Sequence, residues 1–494
     1  MLIIDIIERQ KDNEKIVIKF RDKAITYKEL YLFSTKTAEK ISSLFGSTLN
    51  VVTFLPNSID YAKAYFSILF AKKVIVPIGL QSKNIEILST IEYCEADLVI
   101  ANNDSYQYLK ETLQNYKYKI AIFRIDTGMV EVLNEDKAFI EKSDAIVNDG
   151  SDKDVAIMLH TSGTTSMPKR VMLTHHSLLF NVRSNIESLK LTEDDKVLIS
   201  MPMHFGYCNT AQFLTHLYLG ASMVIYDGMF LPDKFFSYIE NEKITNFTGV
   251  PTMLIMLEMF NGVDKYDISS LRYICFGGGR MPVGILRKLI EKYPTIGFVQ
   301  TYGQTEASPR VTALLPEDSL RKIGSVGLPI PNETVHVVDD DMKEVGANVT
   351  GEIIVQGENI MKGYYKRDEI TQSVLVNNWL KTGDLGQKDE EGYLYITGRK
   401  KNMLISGGIN IYPEEIEEIL IQHPNIKDVY VYGEEDKLLG EVPVAKIILN
   451  SSDEKEDFYK YCSSRLAAYK IPLHFYVVDE ISKTYNGKVK RYDD

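Results

Sequence analysis

The chain alternates short apolar runs, rich in β-branched residues, with longer stretches whose apolar positions recur every three or four residues. The short runs are "NVVTFL" (50–55), "KVIVPI" (73–78), "DLVIAN" (97–102), "VAIMLH" (155–160), "KVLISM" (196–201), "SMVIYD" (222–227) and "LRYICF" (271–276). Each is too short for a helix and apolar on both faces, which predicts buried strands. Between them, "SLLFNVRSNIESL" and "MPVGILRKLIEKY" show the spacing of amphipathic helices. "ITYKEL" opens another helix, with Thr26 as N-cap and Glu29 three residues on forming a capping box. Apolar runs alternating with helices predict mostly parallel sheets covered by helices, an α/β class.

The pattern changes after about residue 320. "TVHVVDDDMKEVGANVTGEIIVQG" predicts antiparallel strands joined by acidic or Gly turns, a small β-barrel-like subdomain. A short basic stretch, "GRKKN", then precedes a compact α+β pattern. In "YPEEIEEILIQHPN", Pro413 and the glutamates fill the first helical turns, and Ile416, Ile419 and Leu420 share one face. "DVYVY", "VPVAKIIL" and "LHFYVV" predict strands, with a helix around 453–468. The expected organisation is a large N-terminal region, residues 1–397, made of two helix-covered sheets plus the barrel-like subdomain. A hinge at 398–402 joins it to a mobile C-terminal domain at 403–494.

Composition narrows the function. A chain of 494 residues with 45% hydrophobic and 25% charged residues is globular and exceeds one ordinary domain. Its net charge of −12 argues against nucleic acid as a partner, so an anionic substrate needs a locally basic pocket. The apolar start "MLIIDIIERQKDNEK" is too short and too soon interrupted by acids for a secretory signal. No stretch approaches the roughly 20 apolar residues of a membrane span. The cysteines Cys94, Cys208, Cys275 and Cys462 lie far apart without a CxxC pair, which predicts a cytoplasmic chain with no disulfide framework and no zinc cluster.

The most suggestive stretch is "LHTSGTTSMPKR" (159–170), where an apolar run enters a loop of hydroxyl residues, one glycine and two cations. Such loops usually only turn the chain. A Walker loop requires glycine before its lysine, and here Pro168 precedes Lys169, so that reading fails. Freed backbone amides at Gly163, hydroxyls at Thr161, Ser162, Thr164, Thr165 and Ser166, and Lys169 still suit a phosphate.

Other segments decide between turn and phosphate site. "PMHFG" (202–206), "QTYGQTEAS" (300–308), "GEIIVQGENIMKGYY" (351–365), "WLKTGDLG" (379–386), "GYLYITGRKKNMLISGGINIYPEEIE" (392–417) and "KTYNGKVKR" (483–491) follow in order. With the 159–170 loop they resemble the motifs of the adenylate-forming superfamily, which comprises acyl-CoA synthetases, adenylation domains and luciferases. The resemblance runs from about residue 26 to 491. It implies that a carboxylic acid is activated with ATP and Mg²⁺ as an acyl-adenylate, then passed to CoA or to the phosphopantetheine of a carrier protein.

It also implies roles residue by residue. Lys488 bridges the substrate carboxylate and the α-phosphate; Thr305 contacts that phosphate, and Glu306 is the magnesium ligand. Thr161, Ser162, Gly163, Thr164, Thr165 and Lys169 hold the phosphates. Tyr302, Gly303, Gly278 and Gly279 border the nucleotide, and Asp384 and Arg399 take the ribose. His204, Phe205, Cys208, Gly249 and Gly277 line the acyl pocket. Lys401 is the hinge residue, and Gly407 and Gly408 lie beside the thiol path. Both reactants are anionic, so positioning and charge neutralisation supply most of such catalysis.

Two positions depart from the family pattern: Ser166 and Arg170 stand where glycine is usual. Arg170 adds a cation near the triphosphate or points to solvent. "HFGYCNTAQF" holds no acid to pair an α-ammonium group, which disfavours an α-amino acid and favours an aliphatic or aromatic acid. Arg280 and Arg310 are candidates for a second substrate carboxylate, though surface or structural positions suit them better. CoA is the expected acceptor and a carrier protein in trans the alternative. An inactive nucleotide-binding scaffold is the reading from another class, opposed by the presence of both Lys488 and Glu306.

Overall fold

The computed structural model describes the chain except residues 47–48, 144–145, 147, 162–168, 280, 407–408, 437–438, 451–456 and 484–494. All seven apolar runs are strands, and they divide between two large sheets. In the eight-stranded sheet, Asn50–Phe54, Val74–Ile78, Leu98–Ala101 and Ile120–Arg124 pair in parallel, and Val74–Ile78 also pairs with Val155–Thr161. The Asn50–Phe54 and Val74–Ile78 strands are buried along their full length, as parallel strands covered on both faces must be. Lys169–Thr174 runs antiparallel to Val155–Thr161, and Gly363–Tyr364 closes that edge.

The nine-stranded sheet has the same logic. Lys196–Ile199, Asn246–Gly249, Tyr273–Phe276 and Gly297–Gly303 lie side by side in parallel register. Antiparallel strands, among them Arg310–Leu314, extend it at its edges. The helix Tyr27–Leu44 begins at the expected capping box: the Glu29 amide donates to Thr26 Oγ1 at 3.1 Å and the Thr26 amide to Glu29 Oε2 at 2.8 Å. It buries Tyr27, Leu30, Ala38 and Ile41.

A five-stranded antiparallel unit built on Thr334–Val338, Gly351–Gln356, Trp379–Lys388 and Leu394–Arg399 stands where the barrel-like subdomain was expected. A separate sheet follows, from Leu404–Ser406 to His474–Val477, with its own core around Ile411, Ile416, Leu420 and Val431. Of the helix expected at 453–468, Phe458–Ser463 is helical and 464–467 are not, while 453–456 lie outside the described residues. The Asp457 side chain accepts from the Lys460 amide and fixes the start, while Cys462 and Phe458 are its buried residues.

Candidate active site

Four parallel strands of the nine-stranded sheet deliver their carboxyl ends side by side. Ile199 leads to His204, Gly249 ends the next strand, Phe276 leads to the Gly277–Gly279 run, and Gly303 leads to the short turn Thr305–Ala307. In sheets of this kind the carboxyl ends are where ligands sit. The Val155–Thr161 strand of the other sheet meets them there. A side chain at Gly206 would stand 3.2 Å from Leu159 Cδ1 and 3.6 Å from Thr305 Oγ1.

The antiparallel unit contributes Asp384, only 4% exposed. Asp384 and Arg399 are directly opposite on adjacent strands, and Arg399 Nε lies 2.6 Å from Asp384 Oδ1. Tyr302 Oη donates to Asp384 Oδ2 at 2.7 Å, which ties this unit to the nine-stranded sheet. Burial and the Asp384 carboxylate raise the Tyr302 phenol well above its ordinary value, so it stays a donor. Burial opposes the charge on Arg399, but Asp384, Tyr302, Glu306 and Glu414 outweigh it and hold its pKa up. A carboxylate and a guanidinium held together at the sheet edge suit hydroxyl groups of a polar ligand.

Glu306 is near enough for its charge to act on Arg399. Its Oε1 accepts from Tyr364 Oη at 2.7 Å, and its backbone carbonyl accepts from the Met361 amide at 2.9 Å. The Lys169 ammonium sits 4.8 Å from the centre of the Tyr364 ring. Among the described residues, no group of three or more His, Cys, Asp or Glu side chains could cage a metal ion. One half-buried carboxylate is the donor set that suits Mg²⁺, which keeps water and takes phosphate oxygens for its other positions.

On the acyl side, "PMHFG" turns into the helix Gly206–Cys208, with His204 in the turn and Phe205 at the N-cap, and the helix continues into a π-helix, Asn209–Leu214. The rings of His204 and Phe205 pack edge to face at 4.6 Å. Burial, with His160 and Arg170 nearby, pushes His204 down to about 4, so it is neutral at pH 7. Cys208 is fully buried with its thiol pushed up by burial, and it faces the core beside Tyr61. Gly277 is required by packing: a Cβ there would stand 2.6 Å from Thr301 Oγ1 and 2.7 Å from the Thr301 carbonyl oxygen. Thr301 is itself pinned by the Tyr207 hydroxyl at 2.6 Å. Gly278 has φ +77 and open space around it, and Gly279 approaches Pro251. At Gly249 a Cβ would crowd the Phe247 ring and Met253.

Arg170 does neither of the things expected of it. Its side chain is 4% exposed, with Nη1 donating to the Pro77 carbonyl at 3.2 Å and Nη2 to Thr90 Oγ1 at 2.7 Å. It ties the strand carrying Lys169 to the Val74–Ile78 strand of the same sheet and to the helix Asn84–Tyr93. Arg310 is likewise structural, buried and bonded to Asn185 Oδ1. Ser162, Gly163, Thr164, Thr165, Ser166, Arg280, Gly407, Gly408 and Lys488 lie outside the described residues, and Thr161 is described by its strand backbone alone.

Two groups escaped the sequence reading. Tyr364 was visible only as part of "GENIMKGYY", and nothing in that spelling aims it at Glu306. Gly79, at the carboxyl end of Val74–Ile78, is the other: a side chain there would stand 2.9 Å from His204 Nε2. Past Arg399 the chain makes a single turn, Lys400–Asn402. Lys400 is bound to Asp340 at 2.9 Å and Glu352 at 3.1 Å in the antiparallel unit, and Asn402 Nδ2 donates to Glu414 Oε1 at 2.8 Å in the following helix. Lys401 lies between these anchors and is exposed.

The geometry has counterparts among known proteins. The family model for AMP-binding enzymes matches residues 7–365, and that for the AMP-binding enzyme C-terminal domain matches residues 415–488. The 2-succinylbenzoate–CoA ligase of Bacillus subtilis (strain 168) is 32% identical over 97% of this chain and 94% of its own length. The indoleacetate–CoA ligase of Aromatoleum aromaticum is 37% identical over 68% of this chain and 66% of its own. The o-succinylbenzoate CoA synthetase of Bacillus subtilis, solved with the acyl-adenylate intermediate OSB-AMP, superposes with a TM-score of 0.86 at 28% identity, covering 99% of this chain and 97% of that one. The same protein in complex with ATP and magnesium ion superposes with a TM-score of 0.85, also at 28% identity, over 98% and 97% of the two chains.

Proposed function

The protein belongs to the family of AMP-binding enzymes, and from that premise we propose how its residues perform an ATP-dependent ligation of a carboxylic acid to CoA. A free carboxylate resists attack by a thiol because oxide is a poor leaving group. Transfer of AMP to the acid supplies a good one. The carboxylate oxygen attacks the α-phosphorus, the bond to the bridging oxygen breaks, and pyrophosphate leaves. The thiol then attacks the acyl carbon and AMP departs.

The observation that carries this reading is the meeting of three sheets around Tyr302–Asp384–Arg399 and Lys169–Tyr364–Glu306. Asp384, held by Tyr302 and Arg399, accepts from the ribose hydroxyls. Lys169 faces the phosphates from the second sheet, Thr305 the α-phosphate, and Glu306 holds Mg²⁺. When bound, the metal neutralises phosphate charge. Lys488 pairs the attacking carboxylate with the α-phosphate oxygens. The small domain turns at Lys401, between the Lys400 and Asn402 anchors, to bring first Lys488 and then the thiol path at Gly407 and Gly408 to the acyl group.

The acid is proposed to be aromatic, with 2-succinylbenzoate the first candidate, because two of the similar proteins covering nearly the whole chain act on it. The acyl side supports a neutral body: His204 is uncharged, and no acid stands in 204–213. CoA is the acceptor of the named relatives, and a carrier-protein thiol is the alternative. A cytoplasmic location suits the four free, buried cysteines. Among the described residues no helix is long and apolar enough to cross a membrane.

Pyrophosphate release from Mg·ATP tests the reading, measured against 2-succinylbenzoate, indoleacetate, benzoates, short fatty acids and amino acids, with and without CoA. The expected result is release with an aryl acid, a matching acyl-CoA product, and loss of both in Lys488→Ala. Release without an acyl-CoA product assigns the acceptor to a carrier protein, and release with no acid added refutes the ligase.

A further inference from the structure

Lys169 and Glu306 carry opposite charges in one cleft, yet no ion pair joins them. Such a pair would consume the two groups the nucleotide needs. Tyr364 stands between them, with its ring face 4.8 Å from the Lys169 ammonium and its hydroxyl 2.7 Å from Glu306 Oε1. The side chain is placed by its backbone: Tyr364 pairs with Val171 on the strand that carries Lys169, and its amide donates to Thr371 Oγ1 at 2.9 Å. The same segment grips the other partner, since the Met361 amide donates to the Glu306 carbonyl at 2.9 Å and Asn359 Nδ2 to the Ala307 carbonyl at 2.8 Å.

We propose that Tyr364 is a positioning residue that keeps Lys169 and Glu306 from pairing and aims each at Mg·ATP, its aromatic face taking the cation and its hydroxyl the carboxylate. The inference rests on the reading of Lys169 as a phosphate contact and Glu306 as the metal ligand. A ring face attracts an ammonium without neutralising it, and a phenol donates one hydrogen bond without a charge. Burial and the Glu306 carboxylate push the Tyr364 phenol above its ordinary value, so it remains a donor. Either charged partner in its place would cancel one of the two site charges.

The test is calorimetric binding of ATP with Mg²⁺ and of ATP in a chelator, without acid or CoA, so that no turnover occurs. Y364F keeps the ring and loses the hydroxyl. It is expected to weaken Mg·ATP binding about tenfold, the scale of one charge-assisted hydrogen bond, and to leave metal-free ATP within about twofold. In an E306A background the Y364F substitution is expected to cost nothing further. A second variant, T371V, loosens the Tyr364 backbone and is expected to shift Mg·ATP binding in the same sense by about two- to threefold. It decides the matter if Y364F does not fold. Unchanged Mg·ATP binding in the folded variants, or losses from Y364F and E306A that add in full, overturns the proposal. A native enzyme that binds neither form of ATP overturns the underlying reading instead.

Discussion

Asp384 has both oxygens engaged, by Tyr302 on one side and Arg399 on the other. Asp384→Asn keeps the shape and removes the charge that orders both partners. AMP binding measured by calorimetry is expected to weaken at least tenfold, since a hydrogen bond to a charged group contributes about 1.5–3 kcal/mol. Unchanged AMP affinity would place the ribose elsewhere. Asp384 and Arg399 were named in the sequence only through the resemblance that "TGD" and "GR" help carry; the structure sets them on adjacent antiparallel strands, where the two meet directly. Tyr364 was not legible as a partner of Glu306, because the two are 58 residues apart and tertiary contacts, the strand pairing at Val171 and the Met361 amide on the Glu306 carbonyl, bring them together. Arg170 was misread for a related reason. A cation beside a phosphate loop looks available until the burial of its side chain against Pro77 and Thr90 is known.

Among the elements, the strand Gly297–Gly303 and the turn that follows it set the position of Glu306. At Gly303 a Cβ would stand 1.8 Å from the Pro309 carbonyl oxygen, a backbone atom that has nowhere to go. Gly278 has a positive φ but open space. Gly278→Ala is therefore expected to cost about 1–2 kcal/mol of backbone strain, and Gly303→Ala more, because it must also move the chain at Pro309. Thermal midpoints of the two variants check the order. Equal midpoints would mean the turn at Gly303 yields easily. Strands and their parallel pairing were readable from apolar runs because a buried strand shows its burial in composition. The π-helix Asn209–Leu214 was not, since its apolar and polar positions fit an α-helix equally well. The helix Phe458–Ser463 ends earlier than the expected residue 468, because the apolar periodicity carries no signal for its stop.

For the whole molecule, burial holds His160, His175, His204 and His216 at about 4. An unfolded histidine takes up a proton near pH 6.5, so between about 6.5 and 4 the unfolded chain binds protons that the native one refuses. Native stability is therefore full above that window and falls as pH drops through it. His216 is 1% exposed, and each such group contributes at most about 1.4 kcal/mol per pH unit. Urea midpoints are expected to fall between pH 6.5 and 4.5, and less steeply in His216→Gln; an identical slope would remove His216 from the account. The two large sheets and the antiparallel unit meet where the site residues gather, as adenylation requires. Adenylation is tested most directly with a carboxylic acid labelled in both oxygens with ¹⁸O, incubated with Mg·ATP and CoA, and the masses of the products read. Attack of the carboxylate on the α-phosphorus predicts AMP carrying one label beside an acyl-CoA. ADP as the nucleotide product, with the label in inorganic phosphate, would contradict it.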